Sequence, residues 1–142
     1  MDKFKEIRPI VLGLLKRDGK ILVSEGYDKV KDQHFYRSIG GGIEFLEKSA
    51  DALKREFKEE LGVDIKIGKY LGIAENIFTF NGMNGHELIL FYEVEIDDKD
   101  YKEKYHIVDG STETDAVWID IEDFKNRKLR LYPEDPPGRT RS

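Results

Sequence analysis

The chain has 142 residues, with 39% hydrophobic and 37% charged side chains, which suits one soluble domain with a buried core. Lys and Arg number 24 against 29 Asp and Glu, and the resulting charge of −5 argues against an extended nucleic-acid footprint. The absence of cysteine excludes disulfides, thiolate nucleophiles and cysteine zinc sites, while the charged start and the lack of a long apolar run predict a cytoplasmic protein without membrane association.

The N-terminal part of the chain predicts three short strands. Their apolar runs are too short for globular helices: Ile10–Leu15, Ile21–Val23 and Phe35–Ile39. Asp18-Gly19 is a tight-turn sequence that joins the first two, and the polar stretch Gly26–Gln33 predicts a loop before the third. Glycines at 40–42 follow, and they predict a bend that leads from this strand into a helix.

One strong amphipathic helix is predicted over Leu46–Leu61. Its apolar residues recur at the three- and four-residue spacing of a single helical face: Leu46, Ala50, Leu53, Phe57 and Leu61. Gly62 follows the last of them, in the position where helices commonly end. We therefore expect one face of this helix to pack against a sheet.

The rest of the chain again has the pattern of strands. The predicted strands are Val63–Ile67, Tyr70–Phe80, Glu87–Ile96 and Ala116–Ile119. Phe78 and Phe80 alternate on one face and are interpreted as core residues, Asp97–Lys104 is interpreted as a charged connector, and Asp120 is placed to cap a short helix from Ile121. The elements predict an α/β fold with a mixed sheet flanked by helices, in one domain over residues 1–132.

Residues 133–142 hold three of the four prolines and predict a disordered tail, natural or left by expression. We derive no function for this tail. The three histidines, His34, His86 and His106, are scattered without metal-ligand spacing and are interpreted as surface or hydrogen-bonded residues.

The predicted helix carries its acidic residues on one flank. At about 100° per residue, Glu56, Glu59 and Glu60 fall together beside the apolar face. Glutamates three and four residues apart repel each other by roughly 0.2–0.5 kcal/mol per pair. A solvated helix face remains one interpretation of this cluster. The other is a site whose repulsion is neutralised by a cation, and oxygen ligands without Cys or His favour Mg²⁺ first, then Mn²⁺ or Ca²⁺.

The segment GGGIEFLEKSADALKREFKEELGV, from residue 40 to residue 63, resembles the signature of the Nudix hydrolases, G-x5-E-x7-R-E-U-x-E-E-x-G-U, where U is bulky and apolar. Every specified position is filled in register: Gly41, Glu47, Arg55, Glu56, Phe57, Glu59, Glu60, Gly62 and Val63. The resemblance extends more loosely over residues 7–131. The sequence departs from the family pattern at Leu46, where the family commonly has glycine. A leucine there restricts the backbone of the loop that enters the helix.

The resemblance implies a Nudix-type α/β/α sandwich in which the signature forms a loop-helix-loop. It also implies that Glu56, Glu59, Glu60 and the backbone carbonyl of Gly41 bind Mg²⁺, with Mn²⁺ as a possible substitute. Glu47 and Arg55 would pair to brace the loop. The implied reaction is attack of water on a pyrophosphate within a nucleoside diphosphate linked to another group.

The general base is left open by the resemblance, because the family takes it from the signature or from a distant loop. Glu59 and Glu60 are the candidates within the signature, and Glu113, before the Trp118 strand, is the distant one. Tyr36 and Arg37 precede the glycines and are candidates for stacking on a base and holding a phosphate.

Three functions follow as hypotheses. The leading one is a Mg²⁺-dependent hydrolase of small nucleoside-diphosphate derivatives, and the second acts on the triphosphate end of RNA. The third is a catalytically silent nucleotide-binding regulatory domain, against which the three self-repelling glutamates argue. The base, the leaving group and the oligomeric state are left open by the sequence.

Overall fold

The computed structural model describes residues 5–133 and contains an eight-stranded mixed sheet with two α-helices and a short 3-10 helix at Asp98–Asp100. The strands are β1 (Ile7–Arg17), β2 (Lys20–Asp28), β3 (Gln33–Gly42), β4 (Lys66–Phe80), β5 (Met83–Glu95), β6 (Lys104–Asp109), β7 (Thr112–Asp120) and β8 (Leu131–Tyr132). The helices are α1 (Ser49–Leu61) and α2 (Ile121–Lys125). Beyond Pro133, the tail predicted over 133–142 lies outside the described residues.

The sheet has the strand order β4-β5-β1-β3-β2-β7-β6, with β8 paired to β3. β1 runs parallel to β5 and β3 parallel to β8, whereas the other strand pairs described in the sheet are antiparallel. The prediction of a mixed sheet is therefore confirmed. Asp18 and Gly19 adopt positive φ and close the predicted turn between β1 and β2.

The two helices cover opposite faces of the sheet, which is why β1 is apolar at consecutive positions. Val11 and Leu15 pack under α1 with Leu53 and Phe57, while the alternate β1 side chains pack with β5 on the other face. α2 covers that second face further along the sheet. This arrangement confirms the predicted α/β/α sandwich. No helix within residues 5–133 is long and apolar enough to cross a membrane.

Helix α1 begins at Ser49, and the predicted start at Leu46 is wrong. Leu46 is 90% exposed with φ of 69°, so it does not belong to the buried helical face. The cause is a turn before the helix, in which the Glu47 amide donates to the Glu44 carbonyl and the Glu47 side chain accepts from the Glu44 amide. A left-handed residue is needed there, which explains why glycine is common at this position in the family pattern.

Several strand boundaries also differ from the prediction. The glycines at 40–42 lie within β3 and pair with β1, so the bend comes after them. Val63 and Ile65 are buried but lie before the strand, since β4 begins only at Lys66, and β4 has irregular pairing near Tyr70. Strand β6 was not predicted: it begins at Lys104, the last residue of the predicted charged connector, and continues to Asp109.

Candidate active site

Arg55 organises the loop that enters α1. Its Nε and Nη2 donate to the two carboxylate oxygens of Glu47 at 2.8 and 2.9 Å, and Nη2 also donates to the Gly42 carbonyl at 3.0 Å. This charged bidentate contact lowers the pKa of Glu47 to about 2. The brace implied by the sequence resemblance is present, and it ties the end of β3 to the middle of α1.

The carboxylates of Glu56 and Glu60 lie in a partly buried position on the flank of α1. Burial, together with the smaller effects of the charges of Glu56, Asp109 and Glu59, raises the pKa of Glu60 to about 8. Burial likewise raises the pKa of Glu56, against the opposing effect of Arg55. The local environment therefore disfavours ionisation of the two carboxyl groups in the absence of a cation.

Gly41 brings the backbone of β3 against the Glu56 carboxyl group. A Cβ atom built at Gly41 would lie 2.5 Å from Glu56 Cδ, closer than side-chain carbons approach one another. The side chain of Glu56 thus occupies the space that any other residue at position 41 would fill. Two positions assigned to the metal site by the sequence resemblance are in direct contact here.

The donor chemistry of this cluster fits a divalent cation, although the side chains do not surround one point. Within residues 5–133, no three acidic or histidine side chains converge closely enough to enclose an ion. Arg55 Nη1 lies 3.0 Å from Glu56 and 3.5 Å from Glu59, and it draws both carboxylates toward itself. Glu60 Oε2 is buried without a hydrogen-bond partner among the described residues, which is the state that a cation would relieve.

Asp109 is an acidic residue near the cluster that the sequence analysis missed. Its charge raises the pKa of both Glu56 and Glu60, which places its carboxylate within electrostatic reach of them. It ends β6, at the tip of the hairpin with β7. The signal that could have found it is the dipeptide Asp109-Gly110, a strong hairpin turn sequence.

Glu113, the distant candidate from the sequence, lies in β7 and not in a loop. Its carboxylate is 3.0 Å from Nε2 of His106, whose Nδ1 is 3.0 Å from Asp115. The acidic pair raises the pKa of His106, with Asp115 contributing more than Glu113. Glu113 is therefore engaged by a histidine on the exposed face of the β6–β7 hairpin.

Tyr36 and Arg37 are separated by the alternation of β3. Arg37 Nη2 donates to Glu87 Oε1 at 2.7 Å, while the Tyr36 ring packs against Phe124 with centroids 5.8 Å apart. Tyr36 lines a different cleft, beside α2, together with His34. The structure thus brings Arg37 toward the acidic cluster and does not bring Tyr36 there.

A cavity of about 720 Å³ lies next to Arg37. Its aromatic walls are Phe35, Phe78, Phe80 and Tyr132, and its polar lining includes Arg8, Lys31, Arg37, Asn76 and Glu87. The ring centroids of Phe35 and Tyr132 are 4.9 Å apart. Phe78 and Phe80 are half-buried cavity residues, so their assignment to the core alone was wrong.

A smaller cavity of about 180 Å³ adjoins the acidic cluster. Glu60 and the backbone of Gly40–Gly42 line it. It shares Arg8, Arg37 and Glu87 with the aromatic cavity, so the two cavities meet at these side chains. The site therefore combines an acidic end, a junction with two arginines, and an aromatic end.

Comparison with known proteins identifies the family. The chain matches the family model of the NUDIX domain over residues 6–138, and it belongs to the Nudix family. The family and fold predicted from the signature are thereby confirmed. Nudix hydrolases act on small nucleotide substrates and generally use a divalent metal.

Individual relatives agree with this assignment. A segment of 62 residues is 34% identical to the CTP pyrophosphohydrolase of Escherichia coli K12, and it spans 44% of this chain and 46% of that protein. The solution structure of the E. coli ORF135 protein has a TM-score of 0.56 at 25% identity, covering 92% of this chain and 84% of the other. A MutT Nudix hydrolase from Burkholderia pseudomallei has a TM-score of 0.62 at 21% identity, over 82% and 85%, and this likeness concerns the fold alone.

Proposed function

We propose that this protein is a Mg²⁺-dependent nucleotide pyrophosphohydrolase, which cleaves a pyrophosphate bond in a nucleoside diphosphate linked to another group. The observation that carries the proposal is the partly buried Glu60 carboxylate beside a small cavity, whose Oε2 has no hydrogen-bond partner among the described residues and whose pKa is raised by burial and by neighbouring acids. Perturbed carboxylates that share a cleft are typical of sites that bind metals and perform acid–base chemistry. The partial likeness to a CTP pyrophosphohydrolase supports the same reaction class.

Mg²⁺, or Mn²⁺ in its place, would be held by Glu56, Glu59, Glu60 and the carbonyl of Gly41. When bound, such an ion neutralises charge on phosphoryl oxygens and lowers the pKa of bound water. Arg55 holds Glu56 in place through Nη1 at 3.0 Å and links it to the Glu47 brace. The glutamates supply the negative charge. Their partly buried environment makes that charge unfavourable unless a cation is bound.

The two cavities suggest how the substrate lies. The phosphate groups would occupy the cavity beside Glu60, where the guanidinium groups of Arg8 and Arg37 donate to phosphate oxygens. The base would enter the aromatic cavity, whose walls include Phe35 and Phe80. Tyr36 remains a predicted substrate residue, although its present packing beside α2 requires a different part of the substrate to reach it.

The chemical step needs a group that accepts the proton of the attacking water. As the oxygen of water bonds to phosphorus, the bridging P–O bond breaks, its electron pair leaves with the departing phosphate group, and the proton passes to a carboxylate. Asp109 is a further candidate for this role, because its charge raises the pKa of both Glu56 and Glu60. Glu113 and the glutamates of the signature, Glu59 and Glu60, remain the competing candidates.

Parallel substitutions separate the two distant acids. We expect Asp109→Asn to lower kcat by about 10²-fold, because the proton acceptor is removed while the metal ligands stay. Glu113→Gln is expected to lower kcat less than about tenfold, because its carboxylate contacts His106. Steady-state kinetics with Mg²⁺ across pH 6–9 measures both. The reverse order of losses would assign the role to Glu113.

A substrate panel tests the proposed function directly. CTP comes first, followed by the other nucleoside triphosphates, nucleoside diphosphates linked to sugars, and a 5′-triphosphorylated RNA. We expect Mg²⁺-dependent release of phosphate or pyrophosphate from free nucleotides, and loss of that release in EDTA. Faster release from RNA would favour the RNA 5′-end function, and nucleotide binding without any turnover would favour the silent regulatory domain.

A further inference from the structure

Glu87, at the junction between the two cavities, is a residue of the site with no role so far. Arg8, Arg37 and Glu87 line both the cavity beside Glu60 and the aromatic cavity. On the proposed function, on which this inference rests, the phosphates lie on one side of the junction and the base on the other. The group that joins phosphates to base in every nucleotide is the sugar, so the sugar crosses these side chains.

Glu87 is held firmly at this junction. Its side chain is only 4% exposed, and its position in β5 is paired with Arg8 of β1 on one side and Asn76 of β4 on the other. Oε1 accepts from Arg37 Nη2 at 2.7 Å and from Asn76 Nδ2 at 3.4 Å. A buried carboxylate on a central strand, fixed by two neighbours, is a rigid hydrogen-bond acceptor.

Glu87 and Arg37 can each form a further hydrogen bond. The Glu87 carboxylate has about four acceptor sites and three contacts in the described structure, of which the one at Oε2, from Arg37 Nη1, is at the limiting distance of 3.5 Å. Arg37 Nε is buried without a partner among the described residues. The junction therefore lacks one donor for Glu87 and one acceptor for Arg37, and a ligand that carries both satisfies it.

A ribose carries both the donor that Glu87 lacks and the acceptor that Arg37 lacks. Its hydroxyl groups donate, its oxygens accept, and neither depends on which base is attached. We propose that Glu87, positioned by Arg37 and Asn76, accepts a hydrogen bond from the 2′-hydroxyl of the substrate, and that the protein selects ribonucleotides over 2′-deoxyribonucleotides. A site built to bind a hydroxyl rejects the analogue that lacks it, because a buried polar group is then left unpaired.

The test compares CTP with dCTP, and each other ribonucleotide of the panel with its 2′-deoxy form, in both affinity and kcat/KM. Wild-type protein is expected to favour the ribonucleotide by about tenfold or more. Glu87→Gln is expected to bring the ratio to within about threefold of one, mainly through weaker binding of the ribonucleotide. Glu95→Gln, at an exposed position of the same strand, is the matched control and should keep the wild-type ratio.

The outcomes separate this proposal from the function on which it rests. Equal use of both sugars by an active wild-type protein, or a preference that survives Glu87→Gln, overturns the sugar proposal and leaves the pyrophosphohydrolase function standing. Selective binding of ribonucleotides without turnover supports the sugar proposal and overturns the enzyme. Equal use of both sugars by wild-type protein is measured without any variant, so the proposal can be overturned even if Glu87→Gln fails to fold.

Discussion

Glu60→Gln is expected to lower kcat/KM by about 10³-fold or more, the largest loss of any single substitution in this protein. The change removes one negative charge from the proposed metal site and leaves the side-chain volume unchanged. Steady-state assays at saturating Mg²⁺ measure the loss. Asp51→Asn, at an exposed position on α1, is the matched control and should remain within about threefold of wild type. Residual activity above a tenth of wild type would contradict the assignment of Glu60.

The same substitution is expected to stabilise the metal-free protein at alkaline pH. The pKa of Glu60 is raised to about 8 in the folded state, so between the ordinary value of 4.5 and 8 the native protein holds a proton that the unfolded chain releases. The free energy of unfolding of wild-type protein in EDTA therefore falls as the pH rises through this range, by about 3 kcal/mol after allowance for partial solvent access. Glu60→Gln lacks this decline.

Denaturant unfolding at pH 5, 6.5 and 8 in EDTA checks the effect, with Mg²⁺ added in a parallel series. We expect the two proteins to be similarly stable at pH 5 and the variant to be more stable at pH 8. Mg²⁺ should stabilise wild-type protein far more than the variant, since it binds the native state through the Glu60 carboxylate, which the variant lacks. If the free energy of unfolding of the two proteins depended on pH in the same way, Glu60 would ionise normally, and the acidic cluster would not destabilise the metal-free protein.

Gly41→Ala is expected to lower kcat/KM by about 10²-fold while the protein remains folded. The new Cβ would lie 2.5 Å from Glu56 Cδ and 2.6 and 2.7 Å from its two oxygens, so the carboxylate must move. Displacement of a catalytic group by about 1 Å costs activity on this scale. Kinetics at saturating Mg²⁺, with thermal unfolding to verify the fold, measures the effect.

Gly42→Ala is the neighbouring comparison. A Cβ at Gly42 meets no heavy atom nearer than Arg8 Nη2 at 3.8 Å, which is an ordinary contact. We expect its loss of activity to stay within about fivefold. Equal losses in the two variants would show that the effect comes from stiffening the end of β3, and that contact between position 41 and Glu56 is not its cause.

The parts of the site that are close in the chain could be predicted from the sequence alone. Glu47, Arg55 and the glutamates of α1 lie within one loop and helix, where spacing along the chain determines which side chains meet. The helical period also placed Leu53 and Phe57 in the core correctly. It failed at Leu46, because a hydrogen-bonded turn of Glu44 and Glu47 ends the periodicity before the helix begins.

The site residues that lie on strands could not be predicted in the same way. Tyr36 and Arg37 are adjacent in the chain and were interpreted as one substrate-binding pair, but successive side chains of a strand point to opposite faces. The pairing of β3 with β1 and β2 determines which of these two side chains points into the cavity. Arg37 meets Glu87 only because β1 lies between their strands in the sheet.

The sequence by itself determined the family, the acidic cluster and the helix that carries it, since the contacts involved are local and repeat with the helical period. The tertiary structure alone decided the other half of the site: Asp109 beside the glutamates, Phe35 in the aromatic cavity, and Glu87 at the junction. These contacts join segments distant in the chain. They depend on strand order and register, which are set by the packing of the whole sheet and not by the residues of any one segment.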